Sequence, residues 1–229
     1  MRTADELTAA SDSAWPALET ELRSNPQLTI LPVAVPAGRE SLYGLQVTTR
    51  SRLGALSLHT GGLLVDGGWL RVLGGGGGSG LPSLAEANDL PGAGEAPPAL
   101  LVGYDVLGGR FELTGADPAL AGRPGAPGDV CYFGPDTLHW ESLGAGHGGW
   151  LSWIAQGGTT QFYESLRWPG WQEETRALPL THGITVYPFL WSQEAHEDLA
   201  ATSRRPAPMA ELFTFQAETA TRLAAGPSA

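Results

Sequence analysis

The chain has 229 residues, 13 basic and 24 acidic, for a formal net charge of -11. That balance opposes binding to nucleic acid or to anionic lipid headgroups. Every basic residue is arginine, which excludes Schiff-base chemistry, a phosphate-loop lysine and a lysine general base. Apolar runs such as Ala99 to Val102 fall far short of the roughly 20 residues that cross a bilayer, the start Met1 to Glu6 places acid where a signal peptide needs an apolar core, and the lone Cys131 has no internal disulfide partner. A cytoplasmic protein is expected.

Thr3 and Glu6 have the spacing of a helix-capping box, which predicts a short helix over 3–10. Ser13 and Pro16, with Trp15, Leu18 and Leu22 at helical spacing, predict a second helix to about Arg23, stopped before Asn25-Pro26. From Gln27 to Gly115 the pattern reads as strands: Leu28–Ala34, Leu42–Thr49, Ala55–His59, Leu63–Val65, Trp69–Leu73, Leu100–Tyr104 and Arg110–Leu113. Asp66-Gly67-Gly68 and Leu107-Gly108-Gly109 supply turns. A third hairpin joins Val130–Phe133 to Leu138–Glu141 through Gly134 to Thr137.

The stretch 74–98 reads as a long loop with a short helix at Leu84–Asn88, and 116–128 as a second flexible segment. Helical spacing returns at Trp150, Leu151 and Ile154, then at Phe162, Tyr163 and Leu166, then from Trp171 to Leu178. A late strand over Ile184–Phe189 and a C-terminal helix carrying Leu212, Phe213, Phe215 and Leu223 complete the chain, with 225–229 expected to fray. Helix, strands, then helices is an α+β order. A single domain over 1–229 is expected, with a mostly antiparallel sheet and helices on one face.

Motif searches return structural readings. Gly75, Gly77 and Gly80 match a dinucleotide-binding pattern, with Asp105 about 25 residues beyond. A glycine run, however, matches any such pattern by chance, and Leu81-Pro82 is a poor helix entry. Cys131 and His139 would fall on opposite faces of their hairpin, because side chains alternate with period two. The five histidines include no pair at metal-ligating i, i+4 spacing. Trp140, Trp150, Trp153, Trp168, Trp171 and Trp191 concentrate between 140 and 191, which suits a core or a docking surface.

Longer strings carry a resemblance. Leu45 to Ser51, Gly61 to Gly74, Asp105 to Gly109, Tyr132 to Leu138, Phe162 to Trp171, Tyr187 to Trp191 and Ser203 to Pro206 resemble a bacterial family known as domain of unknown function twenty-six twenty-five, over roughly residues 3–215. The resemblance implies one bacterial domain of matching length and carries no reaction, ligand or catalytic residue. The glycine run at 74–80 departs from the family's pattern. The Gly68-Trp69-Leu70-Arg71 hairpin and the acidic α+β layout are similar, by pattern, to yeast cell-wall regulators and bacterial toxin-immunity proteins.

The reading is therefore a non-enzymatic, immunity-like interaction domain whose acidic surface meets a basic protein partner, without cofactor, metal, nucleic acid or membrane. The alternative is a hydrolase using carboxylates assembled from distant residues. A binding site, where one exists, is expected around Asp66, Trp69, Arg71, Asp105, Trp168, Trp171, Arg204 and Arg205.

Overall fold

The computed structural model of the chain describes residues 1–78, 80–90 and 97–225; parts of the predicted 74–98 loop and most of the predicted fraying end lie outside them. Helix α1 (Ala4–Thr8) begins at the expected capping box, with Thr3 accepting from the Glu6 N–H and Glu6 accepting from the Thr3 N–H at 2.7 Å. Helix α2 (Trp15–Arg23) carries Pro16 in its first turn and buries Leu18 and Leu22. Strand β1 (Leu28–Leu31) follows.

Two predicted strands are helices. Residues 42–45 end α3 (Val35–Leu45) and 46–49 form the turn after it, while 55–59 belong to α4 (Arg52–His59). The alternation Leu56, Ser57, Leu58, His59 imitates a strand, but Ser57 points inward and its hydroxyl bonds the Ser41 hydroxyl of α3 at 2.8 Å. Ser51 supplies the overlooked start signal, its Oγ accepting from the Gly54 N–H at 3.0 Å.

The sheet is an antiparallel meander of seven strands in chain order. After β1 come β2 (Gly62–Val65) and β3 (Leu70–Leu73), then α5 (Leu84–Ala87), β4 (Ala99–Asp105), β5 (Arg110–Thr114), β6 (Asp129–Phe133) and β7 (Trp140–Gly146). Between β2 and β3, Asp66, Gly67 and Gly68 take φ values of 52°, 69° and 97°, left-handed angles that glycine adopts without a steric cost and that aspartate tolerates better than most side chains. In the third hairpin Phe133 pairs with Trp140, not Leu138. The shift is two residues, because Leu138 enters a left-handed turn conformation at φ 57°; the faces are unchanged, since side-chain period is two.

Period two sorts the sheet into two faces. Val72, Phe111 and Tyr132 point toward α6 (His147–Ala155), where Trp150 meets Phe111 at 5.1 Å between rings. Arg71, Tyr104, Arg110, Phe133 and Trp140 form a row across the other face, in register from β3 to β7. Residues 116–128 are tied down by Arg123, which pairs with Glu112 at 2.7 Å and lies 3.7 Å from the Trp140 ring centre.

Short helices α7 (Thr159–Phe162) and α8 (Trp171–Arg176) lead to β8 (His182–Tyr187), α9 (Gln193–Glu197), β9 (Ser203–Pro208) and α10 (Met209–Ala224). Strand β9 is absent from the sequence reading because Pro206 and Pro208 argue against a strand; it survives in a two-stranded ribbon with β8, where proline needs only an outward-facing nitrogen. Phe213 of α10 reaches the arginine-bearing sheet face, 5.6 Å from Tyr104. The chain is a single α+β domain. Among the described residues no helix is long and apolar enough to cross a membrane.

Candidate functional site

The sequence-predicted site residues are brought together, all but one, around β3. Trp69 is fully buried and its ring meets Tyr163, Trp168 and Trp171 at 5.7, 5.6 and 5.2 Å. Asp66 accepts from the Thr159 hydroxyl at 3.1 Å and forms a short ion pair with Arg167, whose guanidinium lies 4.2 Å from the Trp171 ring centre. Trp168 donates its indole N–H to Glu174 at 2.9 Å, and Arg204 covers the same indole at 4.8 Å while approaching Glu174 at 3.4 Å. Arg205 stands apart, exposed and in register with Thr185.

Sequence reasoning missed Arg167, Thr159 and Glu174, the residues that compensate this cluster. Arg167 adjoins Trp168 in the string already noted, which was the available signal. Energetically the indoles dominate. Burying one such ring removes roughly 200 Å² from water, on the order of 5 kcal/mol, whereas a partly exposed pair such as Arg204–Glu174 is worth about 1 kcal/mol or less.

Arg71 is completely buried. It donates from Nη1 to the Leu180 and His182 carbonyls at 2.7 and 2.6 Å, and from Nε to the Gly68 carbonyl at 3.2 Å. Burial depresses its pKa, while Tyr104 and Asp105 act in the opposite direction. The side chain is a fastener between sheet and ribbon.

Asp105 closes the β4–β5 hairpin. Its Oδ1 accepts from the Leu107 and Gly109 N–H groups at 2.9 Å each, and Oδ2 accepts from the Tyr132 hydroxyl at 2.8 Å. Complete burial raises its pKa, and these three donors oppose the rise. Burial also raises Tyr132 and Tyr163 well above the usual tyrosine value, with the Asp105 charge adding to the effect. Tyr132 and Tyr163 were not among the predicted site residues; buried tyrosines opposite a hairpin aspartate have no local sequence signature.

The glycine run is a packing device. The Gly75 and Gly76 N–H groups donate to the Thr60 and Gly61 carbonyls at 2.7 and 3.3 Å, so they are engaged where a pyrophosphate would need them. A Cβ on Gly75 would lie 2.2 Å from the Ser57 carbonyl oxygen. The adjoining cleft of about 550 Å³ is lined by Glu40, Glu86 and Asp89, the wrong charge for a phosphate, and Glu86 is committed to capping α5 through the Ser83 N–H at 2.7 Å.

Cys131 is buried, with Sγ 3.0 Å from the Pro124 carbonyl, whereas His139 is exposed and bonds the Thr137 carbonyl. Burial, then the Asp129 charge, raises the thiol pKa, the opposite of nucleophile activation. A thiol reagent is expected to leave the native chain unlabelled over minutes and to label it fully in denaturant; rapid native labelling would contradict this burial. Among the described residues no group of three or more His, Cys, Asp or Glu is placed to hold a metal ion.

An open feature lies at the far end of the ribbon. Tyr187, 66% exposed, leads to Phe189, which stacks on Trp191 at 4.7 Å and 11°, and Phe215 of α10 meets these two rings at 5.2 and 5.8 Å. Glu211 and Glu218 line the same shallow surface as Phe215. Aromatics at alternating positions 187, 189 and 191 were the sequence signal for this patch.

Comparison with known proteins accords with the quoted strings. The chain is 39% identical over 222 residues to YbfG of Escherichia coli (strain K12), an uncharacterized protein, covering 94% of this chain and 96% of that one. It is 31% identical over 182 residues to an uncharacterized protein of Haemophilus influenzae, covering 78% of each. No solved structure matches it. The model of the family described as protein of unknown function DUF2625 matches residues 4–212, and the chain belongs to that bacterial family.

Proposed function

We propose that this chain is a non-enzymatic protein-interaction domain, immunity-like in the sense that an acidic exterior holds a basic protein partner. The observation that carries the reading is how the fold spends its arginines. Seven of them pair with carboxylates: Arg23, Arg39, Arg50, Arg52, Arg123, Arg167 and Arg204. Arg71 is buried and Arg110 is largely sequestered under Phe133, Trp140 and Phe213. Among the described residues only Arg2, Arg176, Arg205 and Arg222 remain outside these arrangements. Each pair cancels one arginine against one carboxylate and leaves the formal charge of -11 unchanged, so few uncommitted cations remain to offset the other carboxylates, and such a field steers and selects positively charged partners.

Retention of partners on the immobilised full chain tests the reading. Retained proteins are expected to be basic and to elute as NaCl rises from about 0.1 to about 0.5 M, because the Debye length shrinks over that range. A chain that retains nothing, or retains partners whose binding ignores salt, is not an electrostatic interaction domain.

A further inference from the structure

We infer that the stack of Tyr187, Phe189, Trp191 and Phe215 is the docking surface itself, and that it takes arginine or lysine side chains from a basic segment of the partner. The inference rests on the interaction-domain reading and gives it a location.

The fold supplies its own precedent. Its arginines habitually cover aromatic faces: Arg71 over Tyr104, Arg110 over Phe133, Trp140 and Phe213, Arg123 over Trp140, Arg167 over Trp69, Tyr163 and Trp171, and Arg204 over Trp168. Among the described residues the Tyr187 to Phe215 stack has no arginine over it. It is also the aromatic group left most open, with Tyr187 66% and Phe215 38% exposed. The negative face of such rings attracts a cation within about 6 Å.

The charge around the stack selects the same occupant. Glu211 and Glu218 share the surface with Phe215, each about one turn from it on α10 and on opposite sides of it, and among the described residues neither enters an ion pair. A cation resting on Phe215 would have a ring beneath it and a carboxylate on either side. An anionic or purely apolar partner would leave those carboxylates unpaired against it, which is costly at a desolvated interface. The platform is held from below: Leu107, Val186, Leu212 and Gln216 line a residual void of about 20 Å³ under the rings, too little to accept a side chain, so the partner must lie on top.

Fluorescein-labelled octa-arginine is the probe, titrated into the full chain in low salt with anisotropy as readout. Phe215→Leu keeps the apolar volume but removes the ring face, and the double variant Glu211→Gln with Glu218→Gln removes the flanking charge. Each is expected to weaken binding about fivefold or more. A control double variant, Asp117→Asn with Glu164→Gln, removes the same charge from other elements and is expected to change binding less than about twofold. Thermal melts confirm that each variant is folded. Equal weakening by both double variants, or an unchanged affinity for Phe215→Leu, overturns the site while leaving the acidic interaction reading intact. Absence of any binding by the unmodified chain overturns both.

Discussion

Replacement of Asp105 by alanine is expected to destabilise the fold by about 4 kcal/mol, read from urea midpoints at pH 7. The size follows from what the carboxylate holds: the buried N–H groups of Leu107 and Gly109 and the Tyr132 hydroxyl. A buried donor left without an acceptor costs about 1–3 kcal/mol, and these share one loop, so the losses overlap. The loop is also a junction. The Val106 N–H bonds the Trp69 carbonyl, the Ile184 N–H bonds the Val106 carbonyl at 2.7 Å, and Gln216 bonds the Leu107 carbonyl at 2.8 Å. Loosening it therefore slackens β3, β8 and α10 together. Asp105→Asn retains an acceptor for the two N–H groups and removes a charge that burial disfavours, so its cost is expected to stay near 1 kcal/mol. Equal losses for the alanine and asparagine variants would show that the charge, not the acceptor geometry, is what matters. Gly109→Ala is expected to rival Asp105→Ala, since a Cβ there would sit 2.1 Å from Asp105 Oδ2 and 2.5 Å from the Tyr132 oxygen.

His147 sets the second large effect. Its ring is buried at the start of α6, 5.7 Å from the Trp150 ring, and among the described residues neither nitrogen has a hydrogen-bond partner. Burial, aided by the Arg52 charge, lowers its pKa from 6.5 to about 4. The unfolded chain thus binds a proton near pH 6.5 that the folded chain refuses until about pH 4. Its contribution is fully present above pH 6.5 and is lost as pH falls through the window down to about 4, on the order of 3 kcal/mol in total. Asp105 acts with the opposite sign. Its folded pKa is raised, so its contribution is largest at low pH and disappears as pH rises through the folded value. His147→Phe keeps the ring packing and removes the titration. Urea midpoints of that variant are expected to fall less than those of the unmodified chain between pH 7 and pH 4.5, with stability at pH 7 equal or higher. Parallel pH profiles would mean that His147 is hydrated and not the acid-sensitive group.

Where period two and turn chemistry acted together, the sheet was readable: β2, β3 and their Asp66 to Gly68 connection, β4 with β5, and the start of β6 all follow from residue type and spacing. The failures share a cause. In α4, Leu56 to His59 has strand-like alternation that only packing against α3 overrides, and in β9 prolines mask a ribbon whose outer edge tolerates them. The site was legible as a convergence of unusual residues, because Trp69, Trp168 and Trp171 pack together and Arg167 links Trp171 to Asp66. It was not legible as a compensated cluster, because Arg167 and Thr159 reach Asp66 from about a hundred positions away. The exposed stack required Phe215 to be placed beside Phe189 and Trp191, a contact between ribbon and helix that periodicity within either segment does not encode.

The neighbour-to-neighbour order of the seven strands has a bearing on how the protein is made. Each new strand pairs with the one translated just before it, so the sheet can zip up while the ribosome is still working and needs no late threading. Arg71, like Asp66, must wait for its partners, since the carbonyls of Leu180 and His182 that bind it emerge more than a hundred residues later. Until then its guanidinium faces water on an open sheet, and the nascent chain carries there a cation that the finished molecule conceals.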